Sequence, residues 1–208
     1  MATILTLQEA KAYLKLQETS DHDPEITAIM NAVAQAAEDY CSRKFTYASY
    51  TERKNGRGLR AIRLDNPPRD SSTSIVVKEN GTTLVVAAGY DVSADAVIDN
   101  NTGYIYRQSG NTVVAGRLTQ VPGVWTPGIL NIQVDYTGGF GGGAAPPMPE
   151  SVKLFCKYAV AHFWKHTDRK EIGFSQRADG QRSVTFLEDF PKYYWRLIDP
   201  YRVWDGRL

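Results

Sequence analysis

Ile129-Leu130-Asn131-Ile132-Gln133-Val134-Asp135-Tyr136-Thr137-Gly138-Gly139-Phe140-Gly141-Gly142-Gly143-Ala144-Ala145-Pro146-Pro147-Met148-Pro149-Glu150-Ser151-Val152 passes through three kinds of chemistry in 24 residues. Ile132, Val134 and Tyr136 alternate with polar neighbours, the period of a half-buried strand. The glycines and prolines that follow read as a linker, flexible first and stiff afterwards. Pro149, Glu150 and Ser151 then open a helix whose apolar face is Val152, Phe155, Cys156, Ala159, Val160, Phe163 and Trp164. A β region therefore ends here and a helical region begins.

Working backwards, residues 45–140 carry short β-branched runs: Ala61–Leu64, Ser74–Val77, Thr83–Val86 and Gly103–Tyr106. Turn dipeptides separate them, and Asn80-Gly81 between two such runs is a two-residue hairpin signal. The spacing predicts an antiparallel β lobe of roughly six to eight strands. Before it lie two helices. Thr6-Leu7-Gln8-Glu9 is a capping box, followed by Leu7, Ala10, Tyr13 and Leu14 on one face. Asp23-Pro24-Glu25 predicts a second start, with Asp23 as the cap and Ile26, Ile29, Met30, Val33, Ala37, Tyr40 and Cys41 as the stripe. After Trp164, residues 167–185 read as a polar loop with a turn at Ala178-Asp179-Gly180, and Phe186–Leu208 as a short helix interrupted at Pro200.

The expected class is thus α+β. Residues 1–44 form an N-terminal helical pair, 45–140 an inserted antiparallel β lobe, 141–149 a Gly/Pro linker, and 150–208 C-terminal helices with an aromatic tail, packing with 1–44 into one helical bundle.

Hydrophobic content of 42% and charged content of 23% place the chain among globular proteins. No run approaches the ~18 apolar residues of a membrane span, and no basic region precedes an apolar run at the start, so neither a membrane helix nor a secretory signal is expected. Cys41 and Cys156 sit on apolar stripes and read as free core thiols of a reducing cytoplasm. The net charge of +1 argues against a dedicated DNA-binding domain, but its distribution is uneven. Residues 1–42 carry two bases and seven acids, and residues 43–63 carry seven bases and one acid. Opposite blocks suit copies that dock side by side, and equally a solvated monomer surface.

Catalytic chemistry finds little to rest on. The glycine stretch lacks the Gly-Lys-Ser/Thr of a phosphate loop. His162 and His166 share a helical face, but Phe163 occupies the place where a zinc hydrolase has its glutamate. Asp21-His22-Asp23 precedes Pro24 and reads as capping. No nucleophile has an evident base, so no enzyme, metal or cofactor is expected.

Two surface segments are unusual. Arg53, Lys54, Arg57, Arg60 and Arg63, with Phe45, Tyr47 and Tyr50 interleaved, read as a DNA-channel or neighbour-facing basic patch, or as gatekeeping charges on an edge strand. The last segment crowds Tyr194, Trp195, Leu197, Tyr201, Arg202, Trp204 and Leu208 together, the residue types of binding hot spots, although some must pack on the chain's own helices.

The whole chain resembles the head–tail connector (adaptor, or head completion) family of long-tailed bacteriophages and gene-transfer particles. The residues that carry the resemblance are Leu5-Thr6-Leu7-Gln8-Glu9-Ala10-Lys11-Ala12-Tyr13-Leu14, the Asp23–Phe45 helix ending in Tyr40 and Arg43, Leu64-Asp65-Asn66-Pro67-Pro68, Val134-Asp135-Tyr136-Thr137-Gly138-Gly139-Phe140, and Leu197-Ile198-Asp199-Pro200-Tyr201-Arg202. The β region is longer than in the smallest members, and a long polar loop follows the third helix. The resemblance implies a structural virion protein of the neck, made in the bacterial host cytoplasm. Its copies would form a ring, twelve-fold in such particles, under the portal protein. That ring would extend the channel for packaged DNA and seat the next neck or tail-completion protein, with no membrane involved. The tail set Tyr194–Leu208 is then the expected portal-docking segment. A stopper or tail-completion protein, and a DNA-binding packaging accessory factor, are the alternatives.

Overall fold

A computed structural model describes residues 4–89, 91, 93–114, 117–168, 176–179, 182–185 and 191–203, with backbone alone at 109–114, 117–122, 166–168, 176–179 and 182–185. The chain divides into two compact units, one built from residues 1–43 and 148–208, the other from 44–147.

The first unit holds α1 (Leu7–Leu14), α2 (Asp23–Cys41) and α3 (Glu150–Asp168). Each packs on the other two, burying Ala10, Ile26, Met30, Val33, Ala37, Cys41, Val152, Phe155, Cys156, Ala159 and Val160. The capping box forms as the sequence predicts. Thr6 Oγ1 accepts from Glu9 N–H at 3.2 Å, and Glu9 Oε2 accepts from Thr6 N–H at 2.9 Å. The Thr6 amide foremost, then the Lys153 ammonium 3.0 Å away and the Thr6 hydroxyl donating to Oε2, lower the Glu9 carboxyl from 4.5 to about 2.

Three local expectations are corrected in this unit. Asp23 does not cap α2: it lies in the first turn, the flanking residue is His22 with no side-chain cap, and the Asp23 carboxylate accepts from Lys11 Nζ at 2.6 Å instead. An ion pair to α1 outcompetes the local amide. The expected polar loop contains a hairpin, β10 (Gln176–Asp179) paired antiparallel with β11 (Arg182–Thr185). The final segment is two 3-10 helices, Lys192–Leu197 and Asp199–Tyr201, with Pro200 at a first-turn position where its missing N–H costs nothing.

The second unit is the β lobe: β1 (Ala48–Gly56), β2 (Ala61–Arg63), β3 (Val76–Glu79), β4 (Thr82–Leu84), β5 (Val86–Ala87), β6 (Ala96–Ile98), β7 (Tyr104–Val114), β8 (Arg117–Pro122) and β9 (Gly128–Gly138). One sheet runs β1-β9-β3-β4, the other β2-β7-β6-β5 with β8 beside β7. All pairs are antiparallel except β5–β6, a departure from the expected pattern. β9 alternates as predicted, and Ile132, Val134 and Tyr136 join Leu64, Val77, Ala96, Ile98, Ile105 and Trp125 in one core fed by both sheets. Asn80 (φ 50°) and Gly81 (φ 83°) make the predicted two-residue turn between β3 and β4.

The glycine–proline stretch is not a free linker. Gly139 N–H donates to Pro68 O, Phe140 N–H to Phe45 O and Gly141 N–H to Pro146 O, each at 2.9 Å. Gly139 has φ +96°, and a Cβ there would stand 2.2 Å from Thr46 O, so only glycine lets these two backbones meet. Asp70 gathers the rest, accepting from Tyr47 Oη, Ser72 and Ala144 N–H. Among the described residues no helix is long and apolar enough to cross a membrane.

Candidate assembly surfaces

β1 is an edge strand, and its alternation sorts the basic segment. Ser49, Thr51, Arg53 and Asn55 face out, while Tyr50, Glu52 and Lys54 turn inward. Lys54 Nζ lies 3.1 Å from Glu52 and also bonds Asp65. Two carboxylates therefore engage its charge. Glu52 is 7% exposed and is held by Lys54, the Asp65 amide at 3.0 Å and the Tyr136 hydroxyl. Burial, then the Glu52 charge, push the Tyr136 phenol far up, so that it remains a donor. Arg63 is half-buried with its guanidinium 5.6 Å from the Tyr104 ring centre. Arg53, Arg57 and Arg60 remain exposed.

The interleaved aromatics do not accompany them. Phe45 is fully buried against Phe140 at 6.3 Å, Tyr47 donates to Asp70, and Tyr50 donates to Thr46 O at 2.6 Å beside Tyr136. A platform for stacking bases needs exposed rings. Here Phe45 is buried, and Tyr47 and Tyr50 are half-buried with their hydroxyls bonded within the lobe.

The tail aromatics lie along their own unit. Trp195 sits between Tyr40 at 4.5 Å and Phe155 at 4.9 Å, and Arg202 lies 5.0 Å over Tyr40. Ile198 is fully buried, and Val203 N–H donates to Cys41 O at 2.9 Å. Tyr201 Oη accepts from Ser151 Oγ at 3.2 Å. Outside this anchor runs a row of rings, Tyr13–Tyr158–Tyr194–Tyr193, spaced 6.1, 4.6 and 4.2 Å, in which Tyr193 is 60% exposed. Tyr194, Trp195, Leu197, Tyr201 and Arg202 are all half-buried; Trp204 and Leu208 lie outside the described residues.

A third surface escaped the sequence reading. At one end of the β lobe the 55–60 and 123–131 segments are tied together, with Gly58 N–H to Trp125 O at 3.1 Å, Trp125 N–H to Leu59 O at 2.9 Å, and Leu130 N–H to Asn55 Oδ1 at 2.7 Å. That scaffold holds Leu59, Val124, Ile129 and Leu130 outward, each more than half exposed. Ile129 and Leu130 are strand residues, as the sequence predicts, but they lie at the irregular start of β9, where pairing with β1 shifts register between Lys54 and Gly56 and Leu130 has φ +51°.

Cys41 and Cys156 are buried thiols whose pKa values burial raises to about 11 and about 12, which keeps them protonated and inert. His162 packs edge-on to Phe163 at 5.5 Å, and the His166 side chain lies outside the described set. Among the described residues no three His, Cys, Asp or Glu side chains are grouped to hold a metal. A polar cleft of about 400 Å³ is lined by Arg69, Ser71, Asp99, Asn100 and Pro146 among others, and its Arg69 donates to Asn100 Oδ1 at 2.9 Å and to Thr73 O.

The sequence profile of a family described as Head completion protein matches residues 3–204. The chain belongs to that family. Membership bears out the resemblance drawn from the sequence and makes the chain a structural head-completion component. No curated protein gives a significant match. Two solved structures share the family member's fold. A chain from "Neck of empty GTA particle computed with C6 symmetry" is 19% identical with a TM-score of 0.51, covering 99% of this chain and 94% of that one. A chain from "Virion of native gene transfer agent (GTA) particle" is 17% identical with a TM-score of 0.51 and the same coverage. At these identities the likeness is one of fold.

Proposed function

We propose that this chain is a head–tail connector subunit whose copies form a ring under the portal of a tailed-phage-like particle, in the virion neck. The ring extends the channel for packaged DNA and seats the next neck or tail-completion protein, and its subunit catalyses no reaction. The observation that carries this reading is the family match across residues 3–204, and the fold shared with a chain from a particle neck treated with six-fold symmetry supports it. A ring of identical subunits needs a self-complementary pair of flanks, which the opposed charges of residues 1–42 and 43–63 provide. In this reading the helical segments 1–44 and 150–208 act as one bundle into which the β lobe is inserted. Arg53, Arg57 and Arg60 face the channel or a neighbour; Arg63 and Lys54 take a lesser part because their charges are already engaged.

The tail is the portal-docking segment. Its half-buried anchor holds Tyr193 in place for contact, since a rigid aromatic loses little entropy on docking. Truncation after Val203 leaves every described tail contact in place. The full chain should co-sediment with purified portal rings of its particle, and the truncated chain should lose most of that binding. Undiminished binding of the truncated chain refutes the tail assignment, and a full chain that never binds portal refutes the connector reading itself.

A further inference from the structure

The apolar end of the β lobe is built, not frayed. The Asn131 side chain donates to Thr126 O at 2.9 Å and accepts from Gly56 N–H at 2.7 Å, Thr126 N–H donates to the buried Glu79 at 2.6 Å, and Asn80 N–H donates to Asn131 O at 2.8 Å. This network holds Ile129 at 87% exposure and Leu130 at φ +51°, a left-handed conformation that leucine rarely adopts. Ordered backbone that presents strained, exposed apolar side chains is a feature of preformed binding surfaces. Segments 55–60 and 123–131 contain Arg57 and Arg60 and no acid, so the occupant must be apolar and acidic.

The chain itself contains such a surface. The corner between α1 and α2, residues 15–25, carries one lysine and four acids, and Glu18, Asp21 and Glu25 among them are exposed. Apolar rings border it: Tyr13 is 42% exposed, and His22 packs 5.0 Å from Trp164, beside the 46%-exposed Phe163. We infer that the end of the β lobe formed by Leu59, Val124, Ile129 and Leu130 docks on the acidic α1–α2 corner of a second copy, with Arg57 and Arg60 facing Glu18, Asp21 and Glu25. The inference rests on the ring reading and names the two faces of its repeating contact. A head-to-tail contact of two different faces is what closes a ring, whereas a face that pairs with itself stops at a dimer.

Charge exchange tests the pairing in particles assembled with the full-length chain, reading the ratio of this chain to portal by quantitative mass spectrometry. Arg57→Glu with Arg60→Glu should lower that ratio about tenfold, as should Glu18→Lys with Asp21→Lys, because rim charges set docking register and like charges repel. All four substitutions together restore opposite signs and should return the ratio to near the wild-type value. All four substituted positions are at the surface, so circular dichroism of the purified variants should match wild type. Pairs that incorporate normally overturn the inference, and so does a fourfold variant that stays as low as the pairs, which would assign the apolar end to a different protein. Wild-type chain absent from the particles overturns the connector reading instead.

Discussion

The two segments that stand out in the sequence, the basic strand and the aromatic tail, solve the same problem in opposite ways. In the β lobe the aromatics of residues 45–50 turn inward and the arginines at 53, 57 and 60 stay in water. In the helical unit Tyr194, Trp195 and Tyr201 lie half-buried with Tyr193 exposed beside them, and the cations Lys192 and Arg196 are exposed as well. Along β1, alternation turns Tyr50 inward and Arg53 outward, and Lys54 shares the inward face only with two carboxylates beside it. A short 3-10 segment buries only a narrow side, and the remaining rings must share the surface. The lobe therefore offers charge and a few scaffolded aliphatics to partners, and the helical unit offers rings.

The contrast predicts an order of mutational effects. Trp125 is fully buried at the centre of the lobe, and Trp125→Ala should cost about 3–5 kcal/mol, seen as early thermal unfolding of the β signal. A loss below ~1 kcal/mol would mean that the two sheets do not share one core. Glu52→Ala should cost about 3 kcal/mol, because it leaves Lys54 and the Tyr136 hydroxyl without their buried carboxylate. In the helical unit Trp195→Ala should cost about 1–2 kcal/mol by denaturant titration, since the ring is half-buried between Tyr40 and Phe155. Tyr193→Ala should stay within about 0.5 kcal/mol while weakening portal binding; equal destabilisation by the two would erase the distinction between anchor and contact ring.

Acid sharpens the comparison further. Among the described residues, each unit carries a carboxyl held far below its ordinary value: Glu9, from 4.5 to about 2, and Asp70, from 3.8 to about 2, the latter mainly through Ser72 and Tyr47. A lowered folded-state value stabilises the protein above the ordinary value, and that contribution is lost as pH falls towards 2. Glu9→Gln should flatten the dependence of helical content on pH between about 4.5 and 2. A profile as steep as wild type would show that the capping box is not what acid breaks.

Much of this was legible before any coordinates. The capping box, the Asn80-Gly81 turn and the alternation of β9 are local rules with local causes, and each forms as read. Several of the departures share one cause, partners distant in sequence. Asp23 is taken by Lys11, the glycine stretch by Phe45, Pro68 and Asp70, and Lys54 by Asp65. No window around Gly139 reveals the strand that it must approach, so a glycine required by close contact looks like a flexible one. Ile129 and Leu130 were invisible as a surface for a different reason: an exposed aliphatic at the irregular start of a strand has the same letters as a buried one.

The central claim, a connector that builds a ring on the portal, is most directly tested by electron microscopy of purified portal rings mixed with this chain. The account predicts an added coaxial ring of density on one face of the portal, absent when the chain is truncated after Val203. Bare portals beside freely dispersed chain, at concentrations that saturate any neck contact, would contradict it.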